Sequence, residues 1–183
     1  LSPANPNAVS VVLTDGSQFP CEQVRFDSTS FDCQVAVRQL RFESSKISNC
    51  QLKALNDIQQ TQWRAVVASR ISSDMLVLAR SADALDNIEG LIQAIDPQAV
   101  KFEFDGQTID VPMTKLVGLR FFSKEAGQAG KRMLAMVRQH DGSVWMAKVV
   151  STHTNENAVS GFAIDLVCGN SIQLPPATIA EID

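Results

Sequence analysis

The sequence has no tyrosine, two tryptophans and two histidines among its 183 residues. Sugar-binding surfaces usually stack exposed Trp or Tyr on sugar rings, so the shortage weakens a carbohydrate-binding role. His140 and His153 each lie in or beside a polar turn with no third ligand nearby in sequence, which argues against a zinc site. The chain also lacks a nucleophile elbow, an HExxH motif and a catalytic-cysteine context. We therefore expect no enzyme activity, no cofactor and no metal site.

Clusters of positive charge and long apolar runs are missing as well. Lys and Arg total 16 and Asp and Glu total 20, so the net charge is −4. No basic run exceeds the pair Lys131 and Arg132, whereas neutralising phosphates requires clustered cations. No apolar run approaches the roughly 18 residues that a membrane-spanning helix needs. The composition thus argues against a nucleic-acid partner and against a membrane span.

The four cysteines, Cys21, Cys33, Cys50 and Cys168, match no metal-binding spacing and no CxxC motif. One interpretation is that they are buried free thiols in strands, since free cysteine is among the most buried residue types. The other applies if the protein is exported. Cys33 and Cys50 lie among apolar residues on presumed adjacent strands, so this pair is then the first disulfide to test. Spacing alone leaves both interpretations open.

A short pattern of two strands separated by a break recurs along the chain. It is clearest in Asp105–Phe122 (DGQTIDVPMTKLVGLRFF) and Gly169–Ile182 (GNSIQLPPATIAEI), and fainter in Arg38–Leu52. Around each copy, about five strand-like segments fit into roughly 50 residues, which is typical of small SH3-like or Sm-like β-barrels. A repeat of this size predicts tandem modules instead of one large domain.

The predicted fold is therefore mainly β, with three tandem small barrels of SH3-like or Sm-like type and one linking α-helix. The predicted boundaries are residues 8–52 for the first module, 53–72 for the helix, 73–123 for the second module and 124–183 for the third. The helix is predicted because Lys53–Arg70 places apolar residues at three-to-four spacing and contains no Gly or Pro. Its Trp63 is expected in the core, where the helix packs on the barrels.

Two polar segments are predicted to separate strands. The acidic segment Asp83–Glu89 is expected to form a turn or one helical turn before a strand that Gly90 opens. No Gly-containing calcium loop surrounds its carboxylates, so we expect a solvated turn and no cation site. The segment His153–Asn157 is expected to be a polar loop in the third module.

The turn at Asp141–Ser143 repeats the Asp-Gly-Ser turn at Asp15–Ser17 and stands just before Trp145. Core packing is the favoured interpretation of this tryptophan. The alternative is an exposed indole that forms a glycan-binding surface together with polar neighbours. These neighbours are Asp141, His140 and Asn155.

The run Gly90–Phe104 (GLIQAIDPQAVKFEF) resembles the first Sm-like motif, with a glycine in a bent strand, apolar alternation and an Asp-headed turn. It lacks the turn asparagine that contacts RNA bases in Sm-like proteins, and no Arg-Gly pair matches the second motif. The resemblance therefore implies a small barrel without an RNA-binding role.

A longer stretch, Asp74–Phe122, carries a DALD-like turn, an FxFDG hairpin at Phe102–Gly106, a TIxVP step and a KxxGL strand at Lys115–Leu119. With VVLTDGSQF at Val11–Phe19 as a weaker start, it resembles the N-terminal region of exported planctomycete proteins that often carry an NPCBM/NEW2 domain. That domain is associated with carbohydrate binding and is itself not recognisable here. The shared motifs are structural and include no catalytic residue. The resemblance implies export and a cell-envelope setting.

These observations predict a non-enzymatic structural or interaction protein in an extracytoplasmic setting, the periplasm or the cell envelope. It would act through the surfaces and open sheet edges of its β modules, because unpaired edge N–H and C=O groups are templates for strand addition. The expected partner is another protein or a second copy. A carbohydrate-binding module is the alternative, and an Sm-like nucleic-acid binder or an enzyme is the second alternative.

Overall fold

The computed structural model describes residues 9–35, 38–123, 135–155 and 158–183. Within these residues the protein is mainly β, as predicted, with sixteen strands and one α-helix. The start of the predicted third module, up to residue 134, lies outside the described residues. The strands are β1 Val9–Leu13, β2 Gln18–Cys21, β3 Gln23–Phe26, β4 Ser30–Val35, β5 Arg38–Glu43, β6 Ile47–Gln51, β7 Asp74–Ser81, β8 Ala84–Ile95, β9 Ala99–Phe104, β10 Gln107–Pro112, β11 Leu116–Arg120, β12 Ala135–Gln139, β13 Val144–Asn155, β14 Ala158–Leu166, β15 Ser171–Leu174 and β16 Ile179–Ile182, and the helix α1 is Asp57–Ala68.

The strands form three sets that share one spatial order. In the second set (β7–β11) the order is β11-β7-β8-β9-β10, and in the third set (β12–β16) it is β16-β12-β13-β14-β15. A three-residue 3₁₀ turn, Met113–Lys115 or Pro176–Thr178, precedes the last strand of each. That strand returns to pair with the first strand of its own set.

The first set (β1–β6) has the same order once β2 and β3 are taken as one interrupted strand. β6 pairs with β1, β1 with β2, β3 with β4 and β4 with β5, and a 3₁₀ turn at Ser44–Lys46 precedes β6. The interruption falls between Cys21, the last residue of β2, and Gln23, the first residue of β3. Glu22 and Gln23 are both exposed between the buried Cys21 and Val24. Two successive outward residues break the period of two, so the chain bends there to keep its apolar face inward.

The three sets join edge to edge in one open antiparallel sheet. The last strands β6 and β11 pair with each other through three residue pairs. β3 meets β8 at Phe26 and Ile95, and β2 meets β13 at Gln18 and Val144. The mainly β class is thus confirmed, whereas the sheet is open and not closed into barrels, since the last strand of each set pairs with the first strand of that set but not with the strand before it.

The acidic segment Asp83–Glu89 is not a turn, since Ala84 to Glu89 form the first half of β8. Its acidic side chains are exposed, and each face carries one apolar residue larger than alanine. Leu85 packs on the helix side and Ile88 on the main core. With one apolar residue per face, no alternation was visible in the sequence. The predicted loop at His153–Asn157 is likewise part strand, because β13 continues to Asn155.

Aromatic residues join the sets through a shared core. Phe19 stacks on Trp145 of the third set, with ring centroids 4.9 Å apart. Phe121 of the second set packs on Phe26 and Phe31 of the first, at 5.4 and 5.9 Å. One continuous cluster of buried residues therefore runs through all three sets.

Helix α1 lies inside the predicted helical segment and is shorter at both ends. The Asn56 side chain caps it by accepting a hydrogen bond from the Gln59 N–H at 2.8 Å. The buried Trp63 ring covers Gly118 of β11, where an added Cβ would lie 2.4 Å from the ring. The expectation that Trp63 belongs to the core is confirmed, and the helix covers the outer face of the β6–β11 junction.

Candidate functional site

An open groove of about 820 Å³ runs between the first and second sets. Five serines, three acidic residues and several apolar side chains form its wall. The lining residues are Phe26, Ser28, Ser44, Ser45, Ser72, Ser73, Asp74, Gly90, Leu91, Ile92, Gln93, Glu103, Asp105, Gly106 and Phe122. None of them is Lys, Arg or His, so the groove suits neutral or positively charged ligands and disfavours anions.

The Asp74 side chain connects two segments of the groove wall by hydrogen bonds. Its Oδ1 accepts a hydrogen bond from the Phe122 N–H at 2.8 Å, and its Oδ2 accepts one from the Ile92 N–H at 3.0 Å. Burial raises the pKa of Asp74, while the two backbone hydrogen bonds oppose this shift. The carboxylate thereby ties the chain after β11 to the middle of β8, and it leaves Leu91 and Phe122 exposed at the rim.

The bend in β8 at Gly90 forms another part of the groove. A Cβ at this position would lie 2.3 Å from the Glu103 carbonyl oxygen and 2.5 Å from the Phe102 ring. Only glycine permits this approach, so β8 pairs with β7 before Gly90 and with β9 after it. The glycine in a bent strand, which the sequence showed, therefore has a steric cause.

Trp145 lies in the core and not on a ligand surface. Its side chain is 2% exposed, and its indole Nε1–H donates to Gln139 Oε1 at 2.8 Å. Both the apolar ring and the polar N–H are therefore satisfied inside the protein. The favoured interpretation, core packing, is confirmed, and the exposed indole that the glycan alternative required is not formed.

The polar neighbours expected around Trp145 do not converge. Asp141 accepts a hydrogen bond from the Ser143 N–H within its own turn, and the backbone N–H of His140 donates to the Thr178 carbonyl. Asn155 is exposed at the far end of the twelve-residue β13. At about 3.3 Å per residue this strand is roughly 36 Å long, so Asn155 cannot share a ligand with Asp141.

All four cysteines are free thiols. Cys33 lies on β4, between β3 and β5, whereas Cys50 lies on β6, between β1 and β11, so their strands are not adjacent as the Cys33–Cys50 prediction assumed. A hydrogen bond with Cys21 and burial raise the pKa of Cys33, and burial raises the pKa of Cys50. Burial also raises the pKa of Cys168 to about 12. Protonated, buried thiols are poor nucleophiles, which fits a packing role.

The two Asp-Gly-Ser turns meet at the junction of the first and third sets, a role that sequence reasoning missed. Gln18 and Val144, which directly follow the two turns, pair with each other. Ser17 Oγ accepts a hydrogen bond from the Met146 N–H at 2.9 Å, two residues beyond Val144. The donor related to Met146 by the local two-fold would be residue 20, which is Pro20 and has no N–H. Ser143 Oγ is accordingly buried without a hydrogen-bond partner in the described structure.

The open edges of the sheet are the other candidate surfaces. β10 pairs only with β9, and β16 pairs only with β12, among the strands that the structure describes. The outer edges of β5 and β15 are bridged by side chains, since Arg38 donates to the Gln173 carbonyl at 2.7 Å and Asn170 donates to the Arg41 carbonyl at 3.2 Å. Among the described strands, the edges of β10 and β16 therefore remain accessible.

Among the described residues, no group of three or more His, Cys, Asp or Glu side chains is placed to hold a metal ion. No helix in the described ranges is both long and apolar enough to cross a membrane. No protein-family model matches the chain, and no curated protein or solved structure matches it. The resemblance of Asp74–Phe122 to exported planctomycete proteins accordingly stays a prediction.

Proposed function

We propose that this chain is a non-enzymatic interaction protein that binds an extended segment of a protein partner at an open sheet edge. The shared strand order, with a 3₁₀ turn before a last strand that returns beside the first, supports an SH3-like unit used three times. The motif resemblance supports an extracytoplasmic assembly as its setting. The partner is a second protein or a second copy of the chain.

One observation carries this proposal: the chain already uses strand addition to join two of its own units. The last strands β6 and β11 pair edge to edge, whereas the equivalent edge of β16 has no described neighbour. Unpaired N–H and C=O groups on such an edge favour the binding of another strand. In this mode, main-chain hydrogen bonds give affinity and alternate side chains give specificity.

A peptide library displayed on phage tests strand addition. Binders are selected on the native protein and then assayed on the variants Ile182→Pro and Asp110→Pro, which remove a backbone N–H from the β16 edge and the β10 edge respectively. We expect the selected peptides to bind the Asp110→Pro variant as they bind the native protein, and not to bind the Ile182→Pro variant. Peptides that bind all three proteins equally would contradict the proposal.

A second candidate function, glycan binding, is favoured by the groove and not by Trp145. Five serines and three acidic residues line the same groove as Phe122, which is 42% exposed and available to stack on a sugar. We expect retention of the native protein in gels that contain a neutral polysaccharide, with loss of retention in Phe122→Ala. Phe104→Ala, an equally exposed phenylalanine that does not line the groove, is the matched control. Equal migration of all three proteins would exclude this function.

A further inference from the structure

The β6–β11 junction has approximate two-fold symmetry. Cys50 pairs with Leu119, and each is the fourth residue of its strand, counted from the 3₁₀ turn. The flanking pairs, Gln51 with Gly118 and Asn49 with Arg120, are related by the same symmetry. An isologous contact of this kind means that β6 and β11 present the same edge to each other. In β16 the fourth residue is Ile182.

Hydrogen bonds show that Ile182 directs its backbone toward the open edge. The N–H and C=O groups of Asp183 both bond to Met136 of β12, each at 2.9 Å. Successive residues of a strand direct these groups to opposite sides, so those of Ile182 face away from β12. At the β6–β11 junction the same parity holds, since Leu52 donates to Val117 and Phe121 donates to Ser48.

The side chain of Ile182 is also exposed, as expected for a junction strand that has no second strand beside it. Cys50 and Leu119 are fully buried at their junction, whereas Ile182 is 42% exposed. An apolar residue placed opposite Ile182 on an added strand would cover this surface. The added strand would then repeat a contact that the chain makes once within itself.

The negative charges of Glu181 and Asp183 beside Ile182 favour a partner strand that carries positive charge. Glu181 and Asp183 flank it on the other face of the strand and share one guanidinium, with Arg138 Nε at 3.3 Å from Glu181 and 3.7 Å from Asp183. Two carboxylates facing one cation leave an excess negative charge. A second copy in the β6–β11 register would place Glu181 opposite the copy's Asp183 twice, and like charges directly opposite each other destabilise a strand pair.

Resting on the proposed function, we propose that the β16 edge binds an antiparallel strand in which an apolar residue lies between two basic residues. The apolar residue stands opposite Ile182, and the basic residues stand opposite Glu181 and Asp183. The occupant is a basic segment of another protein and not a second copy of this chain.

Three synthetic peptides test the charge preference by fluorescence anisotropy on the full chain. They share a Thr- and Val-rich frame and differ at the centre, with Lys-Ile-Lys, Gln-Ile-Gln or Glu-Ile-Glu. We expect the lysine peptide to bind about 2- to 30-fold more tightly than the glutamine peptide, and the glutamate peptide to bind most weakly. The double variant Glu181→Gln, Asp183→Asn should lose the preference for the lysine peptide, because Arg138 is then the charged residue that remains beside Ile182.

Two further measurements separate the partner chemistry from strand addition itself. Ile182→Pro should weaken binding of the lysine peptide at least about tenfold, and Asp110→Pro should not. Hydrogen exchange of the Ile182 amide in the native protein should slow when the lysine peptide is added, which tests the same contact without any variant. Equal affinity for the three peptides, with loss in Ile182→Pro, overturns the charge preference and keeps strand addition. Absence of binding, or binding that Ile182→Pro leaves intact together with unchanged amide exchange, overturns both.

Discussion

Alanine substitution is predicted to destabilise the protein at one of the two equivalent turn serines and not at the other. Both Ser17 and Ser143 are buried, at 0% and 1% exposure. Ser17 Oγ accepts the Met146 N–H, so Ser17→Ala leaves a half-buried donor without its partner, which costs about 1–3 kcal/mol. Ser143 Oγ has no partner to lose, so Ser143→Ala removes an unsatisfied hydroxyl and should be neutral or stabilising.

Urea denaturation of the native protein and both variants measures this difference. We expect the midpoint to fall in Ser17→Ala and to stay or rise in Ser143→Ala, with unchanged slopes. In a thermal melt, 1 kcal/mol corresponds to about 2–4 °C for a chain of this size. Equal destabilisation by the two substitutions would refute the assignment of the orphaned hydroxyl.

Pro20→Ala tests the reason for the orphaned hydroxyl. The substitution restores a backbone N–H at the position related by the two-fold to Met146, and this N–H then has Ser143 Oγ within reach. In this background Ser143→Ala should become destabilising. A double-mutant cycle isolates the coupling, expected at about 0.5–1.5 kcal/mol, from the entropy change of removing a proline. A coupling of zero would mean that Pro20 does not explain the unsatisfied serine.

Three further predictions follow from single contacts. Gly118→Ala should destabilise the protein by about 1–3 kcal/mol in urea because its Cβ would lie 2.4 Å from the Trp63 ring, whereas Gly161→Ala, with nothing closer than 3.7 Å, should change stability little. Burial raises the pKa of Asp74 in the folded state above its ordinary value of 3.8. The free energy of unfolding in urea of the native protein, relative to that of Asp74→Asn, should therefore fall as the pH rises from 3.8 through the raised pKa. A rise over this range would contradict the shift. A thiol reagent should label at most the half-buried Cys168 in the native protein and all four cysteines after denaturation, and a mass lower by two hydrogens would instead reveal a disulfide.

Local patterns in the sequence were sufficient for the class of fold and for most strands. The hairpin turn at Asp105 and Gly106 was predicted from the dipeptide, and both residues have positive φ, 50° and 73°. The helix was predicted from three-to-four spacing, and its Trp63 is buried as expected. These features depend on neighbours in sequence, so they can be read without knowing the tertiary structure.

The candidate sites depend on pairings between distant residues, and the sequence carried little signal for them. Ser17 and Met146 meet only because β2 and β13 pair at one position, and Asp74 becomes a buried acceptor only because β8 bends at Gly90. Open edges were predicted as a class of binding surface. Which edge stays accessible follows from the order of sixteen strands, which local periodicity does not contain.

One position in the last strand of each set differs between the β6–β11 junction and the open β16 edge. The third residue of the last strand is Asn49 in β6, Gly118 in β11 and Glu181 in β16. Asn49 and Gly118 are neutral and buried, since the Trp63 ring of α1 rests on Gly118. Glu181 is charged and exposed, and a carboxylate at that position could not be buried under an indole without a large desolvation cost. The sequence thus places compact neutral residues where the chain covers its own junction, and an acidic residue where the described edge is open.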